Sequence, residues 1–94
     1  MTLDEFRSTL GATTPPDVGP VLQALWHDAN GHWRRAHESV QDVESRDAAW
    51  VHAYLHRKEG DHGNAAYWYD RAGQPVASDA LDAEWTRIAS ALLR

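Results

Sequence analysis

At 94 residues the chain is long enough for one domain, with a core that hides roughly two thirds of the surface its unfolded form would expose. A hydrophobic content of 43%, with five Trp and three Tyr, places it among globular rather than disordered sequences, and a formal charge of −5 argues against nucleic acid, whose phosphates demand a basic face. Without cysteine there is no disulfide, thiolate metal site or cysteine nucleophile. No run approaches the roughly 20 apolar residues of a membrane span, and the opening Met1-Thr2-Leu3-Asp4-Glu5 lacks a signal pattern, so a cytoplasmic protein is expected.

Thr2 followed by Glu5 forms a capping-box pattern for a first short helix with Leu3, Phe6 and Leu10 on one face and Gly11 as its stop. Ala12 to Gly19, with Thr13-Thr14-Pro15-Pro16-Asp17, reads as a linker. From about Pro20 a second helix puts Val21, Leu22, Leu25, Trp26 and Ala29 on one side and ends at Asn30-Gly31. Trp33, Ala36, Val40 and Val43 recur at helical spacing in a third helix expected to reach Ser45, which in turn caps the fourth.

The fourth helix, from Arg46 to Glu59, is predicted to be central. Its charges lie at its ends, and Ala48 to His56 carries none, so apolar or aromatic residues occur all round it. Gly60 stops it. A fifth helix from Asn64 to Ala72 turns Ala65, Trp68, Tyr69 and Ala72 inward. Tyr67, Trp68 and Tyr69 cannot all face the core, since consecutive residues stand about 100° apart. After Gly73-Gln74-Pro75 and a further loop, Ser78 is expected to cap a sixth helix with Leu81, Trp85, Ile88 and Leu92 in one stripe. Asp79, Asp82 and Glu84 read as solvated acids favoured by the dipole in its opening turn.

A shift of 29 residues superposes Ala24 on Ala53, Trp26 on Leu55, His27 on His56, Gly31 on Gly60 and Ala36 on Ala65. The expected architecture is therefore all-α: a compact bundle of about six helices in one domain, 1–94. It divides into an N-terminal helix and linker (1–16), two hairpin repeats (17–75) and a C-terminal amphipathic helix (76–94). Gly60-Asp61, Ala65, Tyr69 and Ala72, with Ala53 in the preceding helix, resemble the tetratricopeptide repeat. The period of 29 departs from that family's 34, and Pro75 comes early. The resemblance implies that the terminal helices act as caps on the hairpins. The run from Trp50 to Asp61, followed by Asn64 to Tyr69, also resembles the signature of an uncharacterised bacterial protein family, which carries no activity with it.

Two functions compete. If the repeat resemblance holds, Trp50, Tyr54, Arg57 and Lys58 form the stripe that contacts a protein or peptide partner, through stacking, cation–π contacts and charge-assisted hydrogen bonds. An interaction module is the first expectation, a homodimer through exposed Trp and Tyr is its variant, and no cofactor is then needed. The same aromatics also read as core. The rival is a metal- or small-ligand-binding protein centred on His52 and His56. Spaced i and i+4, with Glu59 one turn beyond, they offer two nitrogens and an oxygen to zinc or a similar divalent metal. His27, His37 or Asp61 would complete the set, with His27 at the equivalent place in the first repeat. The competing explanation is that these are hydrogen-bonded core histidines.

Catalytic motifs fail specific checks. His37-Glu38 begins a metalloprotease-like string, but the second histidine is replaced by Gln41, and no nucleophile elbow, phosphate loop or dinucleotide fingerprint is present. Binding is expected before catalysis, and an enzyme stays conceivable only through the histidine cluster around His52 and His56.

Overall fold

Six α-helices follow one another with no strand among residues 1–93, the part of the chain that the computed structural model describes. They are α1 (Leu3–Ser8), α2 (Pro20–Ala29), α3 (Trp33–Val40), α4 (Arg46–Glu59), α5 (His62–Ala72) and α6 (Leu81–Leu92). Of the C-terminal segment expected over 76–94, only residue 94 lies outside the described residues.

Local chemistry sets most boundaries. The Thr2 hydroxyl accepts from the Glu5 amide at 3.1 Å while the Glu5 carboxylate accepts from the Thr2 amide at 2.9 Å, closing the capping box of α1. Ser45 accepts from the Ala48 amide at the start of α4. That role requires extended backbone at Ser45 (φ −150°, ψ 159°), so α3 cannot run on to Ser45; it stops at Val40. Helix α5 begins at His62, two residues before the expected Asn64, because the Asp61 carboxylate accepts from the Asn64 amide and so caps the helix. Ser78 does not cap α6. The helix starts at Leu81 after an extended Ala80 with no side-chain cap, and Asp79 is instead anchored, its carboxylate to Arg87 and its carbonyl to Arg57.

The 29-residue repeat is visible in the backbone. Gly31 and Gly60 both adopt the left-handed conformation, with φ of 80° and 88°. In each turn the next residue's amide returns to the carbonyl of the histidine five residues earlier, His32 to His27 and Asp61 to His56, both at 2.9 Å. Helices α2 and α3 pack as one hairpin and α4 and α5 as the other, and α4 also touches α2, α3 and α6.

As its sequence predicts, α4 is central: Ala48, Ala49 and every residue from Val51 to His56 are buried. The main core gathers Phe6, Leu25, Val51, Leu55, Trp85 and Ile88, while Ala53, Ala65 and Tyr69 form a smaller cluster between α4 and α5. In the α6 stripe Trp85 and Ile88 are buried and Leu81 and Leu92 half-buried. Trp85 stacks on Phe6 with ring centres 6.0 Å apart and donates its indole N–H to the Leu25 carbonyl. Of Tyr67, Trp68 and Tyr69, the last is buried, Trp68 is half-buried and Tyr67 is 53% exposed.

Two carboxylates are buried with their partners. Asp28 accepts from the Tyr54 hydroxyl at 2.8 Å and from Lys58 at 3.0 Å. Glu84 accepts from Arg57 at 2.7 Å and from the Tyr69 hydroxyl at 2.6 Å. The expectation of a solvated acid in the first turn of α6 holds for Asp79 and Asp82, which are exposed, and fails for Glu84, whose exposure is 0%. The reason is its position one residue before Trp85, which turns the carboxylate towards α4 and α5, where an arginine and a phenol meet it.

Removing one partner of a buried, hydrogen-bonded ion pair leaves the other charge uncompensated. Glu84→Ala should therefore lower the unfolding free energy by about 3–5 kcal/mol, measured by urea titration, whereas Asp82→Ala in the same turn should change it little. Equal, small losses in both would mean that Glu84 does not hold α6 in place.

Candidate metal centre

Three imidazoles from two helices meet beside the α3–α4 contact. His52 and His56 stand one turn apart on α4 with ring centres 4.8 Å apart, and His37, in the last turn of α3, sets its edge against both at 4.7 and 5.2 Å. Each contributes a nitrogen within 4.8 Å of those of the other two. His52 and His56 are buried, with exposures of 5% and 7%, and His37 is half-buried. The helical spacing of His52 and His56 was legible in sequence; the arrival of His37 depends on the packing of α3 against α4.

Aromatic walls enclose the trio. Trp33, one turn before His37 on α3, stacks on it at 5.1 Å and 11°, and its indole N–H donates to the Leu55 carbonyl of α4 at 2.8 Å. Trp68 of α5 stacks on His52 at 3.9 Å and 15°. Each tryptophan thus fixes the plane of one imidazole.

The hydrogen-bonded-core explanation fits only one member. His56 Nδ1 lies 2.7 Å from Glu59 Oε1. A carboxylate oxygen accepts, so Nδ1 carries a proton, and in the neutral ring the lone pair is then on Nε2, the arrangement by which second-shell carboxylates orient metal-bound histidines. Among the described residues, neither His37 nor His52 makes a side-chain hydrogen bond. Burial pushes the His52 imidazolium equilibrium down to about 4, with the like charges of His37 and His56 adding to it. His37 is lowered by burial and by His56, against the opposing pull of Glu59 and Glu38. Both rings are neutral at neutral pH, which is the form that binds metals.

The other expected ligands divide. Glu59 and Asp61 lie beside His56, where the three offer a second group of donor atoms mutually within 4.8 Å. His27 is not part of either group. Although the repeat maps it onto His56, it sits on α2 beside Trp26, His32 and Arg35, in a different cleft. Neither of the other two histidines has a repeat counterpart, since the shift places Gln23 against His52 and Ala66 against His37.

Along the expected peptide stripe, Trp50 is half-buried between the two core clusters, and Tyr54 is 2% exposed with its hydroxyl on Asp28. Arg57 bonds to Glu84 and to the Asp79 carbonyl, and Lys58 bonds to Asp28. Helices α2 and α6 lie against this side of α4, so its polar tips are engaged within the chain.

No family model, curated protein or solved structure matches this chain.

The fold keeps His52 neutral, whereas the unfolded chain takes up a proton near pH 6.5. Between pH 6.5 and about 4 the unfolded state binds more protons, so this contribution is complete above pH 6.5 and is lost as the pH falls through that window. Metal-free protein should be less stable at pH 5 than at pH 7.5 by about 2 kcal/mol on this account, measured by urea unfolding in the presence of a chelator. His52→Gln should flatten that slope; an unchanged slope would assign the acid sensitivity to other groups.

Proposed function

We propose that this protein binds a divalent transition-metal ion, zinc or one of similar preference, through His37, His52 and His56. The convergence of three mutually close nitrogens from α3 and α4, two of them on rings with no other polar partner, carries this reading. A tetrahedral ion bound at about 2.0–2.1 Å would bring those nitrogens, which now lie within 4.8 Å, to roughly 3.4 Å from one another. The Glu59 carboxylate at His56 Nδ1 is the orienting contact that such sites use. Three protein ligands leave a fourth position for water or another small ligand, and the ion would tie α3 to α4. Asp61 and Glu59 supply negative charge beside it.

The interaction-module reading, drawn from the Trp50, Tyr54, Arg57 and Lys58 stripe, has a second candidate surface on α5. Tyr67 and Arg71 are exposed beside the half-buried Trp68 on α5, with the Arg71 guanidinium 5.7 and 5.3 Å from the Tyr67 and Trp68 ring centres. The paired hairpins and their matching turns are compatible with tetratricopeptide-like repeats, which would make that face or the Trp50, Tyr54, Arg57 and Lys58 stripe a partner surface. The donor geometry of the histidines favours the metal reading.

Untagged protein purified without chelator should carry about one ion per chain by plasma mass spectrometry. His37→Ala and His52→Ala/His56→Ala should each remove it while retaining helicity by circular dichroism, and His27→Ala should retain it. Adding Zn²⁺ to stripped protein should give a saturable change in tryptophan emission, because Trp33 and Trp68 lie in ring contact with the histidines. Absence of retained metal, together with no saturable response to micromolar Zn²⁺, Ni²⁺ or Cu²⁺, would sink the proposal.

A further inference from the structure

A second cleft, of about 500 Å³, lies on the far side of α2, between the Gly11 to Pro15 segment and the turn that joins α2 to α3. His27, His32 and Arg35 line it together with Thr13 and Thr14, and none of its lining residues is acidic. That composition stands out in a chain with 14 acidic residues against nine lysines and arginines. Arg35 beside two imidazoles that can donate hydrogen bonds, with no carboxylate among the lining residues, is a setting that attracts an anion.

The backbone adds to the same field. His32 occupies the N-cap of α3 without a side-chain cap bond, and the first turn of that helix contains no acid. Its leading amides therefore have no carboxylate or hydroxyl acceptor from the chain, and the positive end of the helix dipole opens at residues that border the cleft. Arg35 projects from that first turn. Asn30 is already engaged, accepting from the Gly11 amide through Oδ1 and donating to the Trp26 carbonyl through Nδ2, which straps the segment over the cleft.

His27 supplies an independent observation. Its Nδ1 is buried and has no hydrogen-bond partner, the one such side-chain atom among the described residues. An unpaired buried N–H is rarer than an unpaired acceptor, so Nδ1 carries the lone pair and the proton sits on Nε2, the nitrogen left to face the cleft. The ring's pKa is lowered by burial and by the neighbouring Arg35 and His32, with no acid opposing them. Bound anion would reverse part of that effect.

We propose that this cleft binds a phosphate group, with Arg35 and the Nε2–H of His27 as its principal donors and His32, the Thr13 and Thr14 hydroxyls and the first amides of α3 around it. Donors approaching from a loop, a turn and two helices suit a tetrahedral oxyanion with several acceptor oxygens better than a planar carboxylate. The cleft exceeds the volume of free phosphate, which leaves room for the organic part of a small phosphomonoester. The inference is independent of the metal reading, since the two sites share no residue.

Nuclear magnetic resonance titration of chelator-treated protein with inorganic phosphate, and separately with glycerol phosphate, at fixed ionic strength held with sodium chloride tests this. Expected are saturable shifts of the His27 and His32 ring signals and of the Gly11 to Thr14 amides, with those of His37, His52 and His56 unmoved. Arg35 is exposed, so Arg35→Ala should leave the fold intact and weaken binding by about tenfold or more; His27→Gln should weaken it in the same direction. Tighter binding of glycerol phosphate would identify an ester as the ligand, and equal binding would identify the phosphate group alone, either of which supports the site. Shifts that rise linearly without saturation, or that are the same in Arg35→Ala as in the parent, would overturn it.

Discussion

The constraint on which the structure depends is the satisfaction of polar groups that α4 carries into the core. This helix is surrounded on nearly all sides, yet it brings Tyr54 and Arg57 along with its apolar residues, and Lys58 reaches from its exposed edge to the buried Asp28. Each of those polar ends must find a partner, because an unpaired charge or hydroxyl in a dry interior costs several times what a paired one contributes. Asp28 on α2 and Glu84 on α6 provide them from opposite flanks. Each carboxylate receives two donors, and each fixes a flanking helix in rotation and height against α4. Apolar packing alone would tolerate sliding by a fraction of a turn; these bonds do not, and the positions of Trp85 and Leu25 follow from them.

Helix number and most boundaries were legible in the residues because capping chemistry and left-handed glycines act locally. Thr2, Ser45 and Gly60 do their work within four residues of where they stand. The boundaries that moved are those where a competing contact wins: Ser45 cannot both end α3 and cap α4, and Asp79 is held by Arg87 and Arg57, which delays α6 until Leu81. The burial of Glu84 was not legible, since an acid in a first turn looks solvated unless its tertiary neighbours are known. For the same reason Tyr54 and Arg57 read equally well as contact surface or core.

The histidines divide along the same line. Spacing of four residues places His52 and His56 together irrespective of the tertiary fold, whereas His37 joins them only because the packing of the first hairpin against the second brings the last turn of α3 across α4. His27 shows the limit of the repeat as a guide. Equivalent backbone turns hold His27 and His56 at matching positions, but neighbours that the repeat does not conserve put one beside Arg35 and the other beside Glu59. A shared backbone thus presents one imidazole to positive surroundings and the other to negative ones, and their chemistry separates accordingly.

The contact between Phe6 and Trp85 has a consequence for the order in which the molecule assembles and loosens. Each hairpin joins helices that are adjacent in sequence and closes a short loop, whereas the stack of these two rings, and the bond from Arg7 to Thr86 beside it, span 79 residues. Loop-closure entropy makes such a contact the last to form and favours it only once the hairpins have brought α6 into place. Helix α1 is six residues long and too short to persist by itself in water. It is therefore the first element to detach in local opening, uncovering the face of Trp85 while α2 to α5 stay closed.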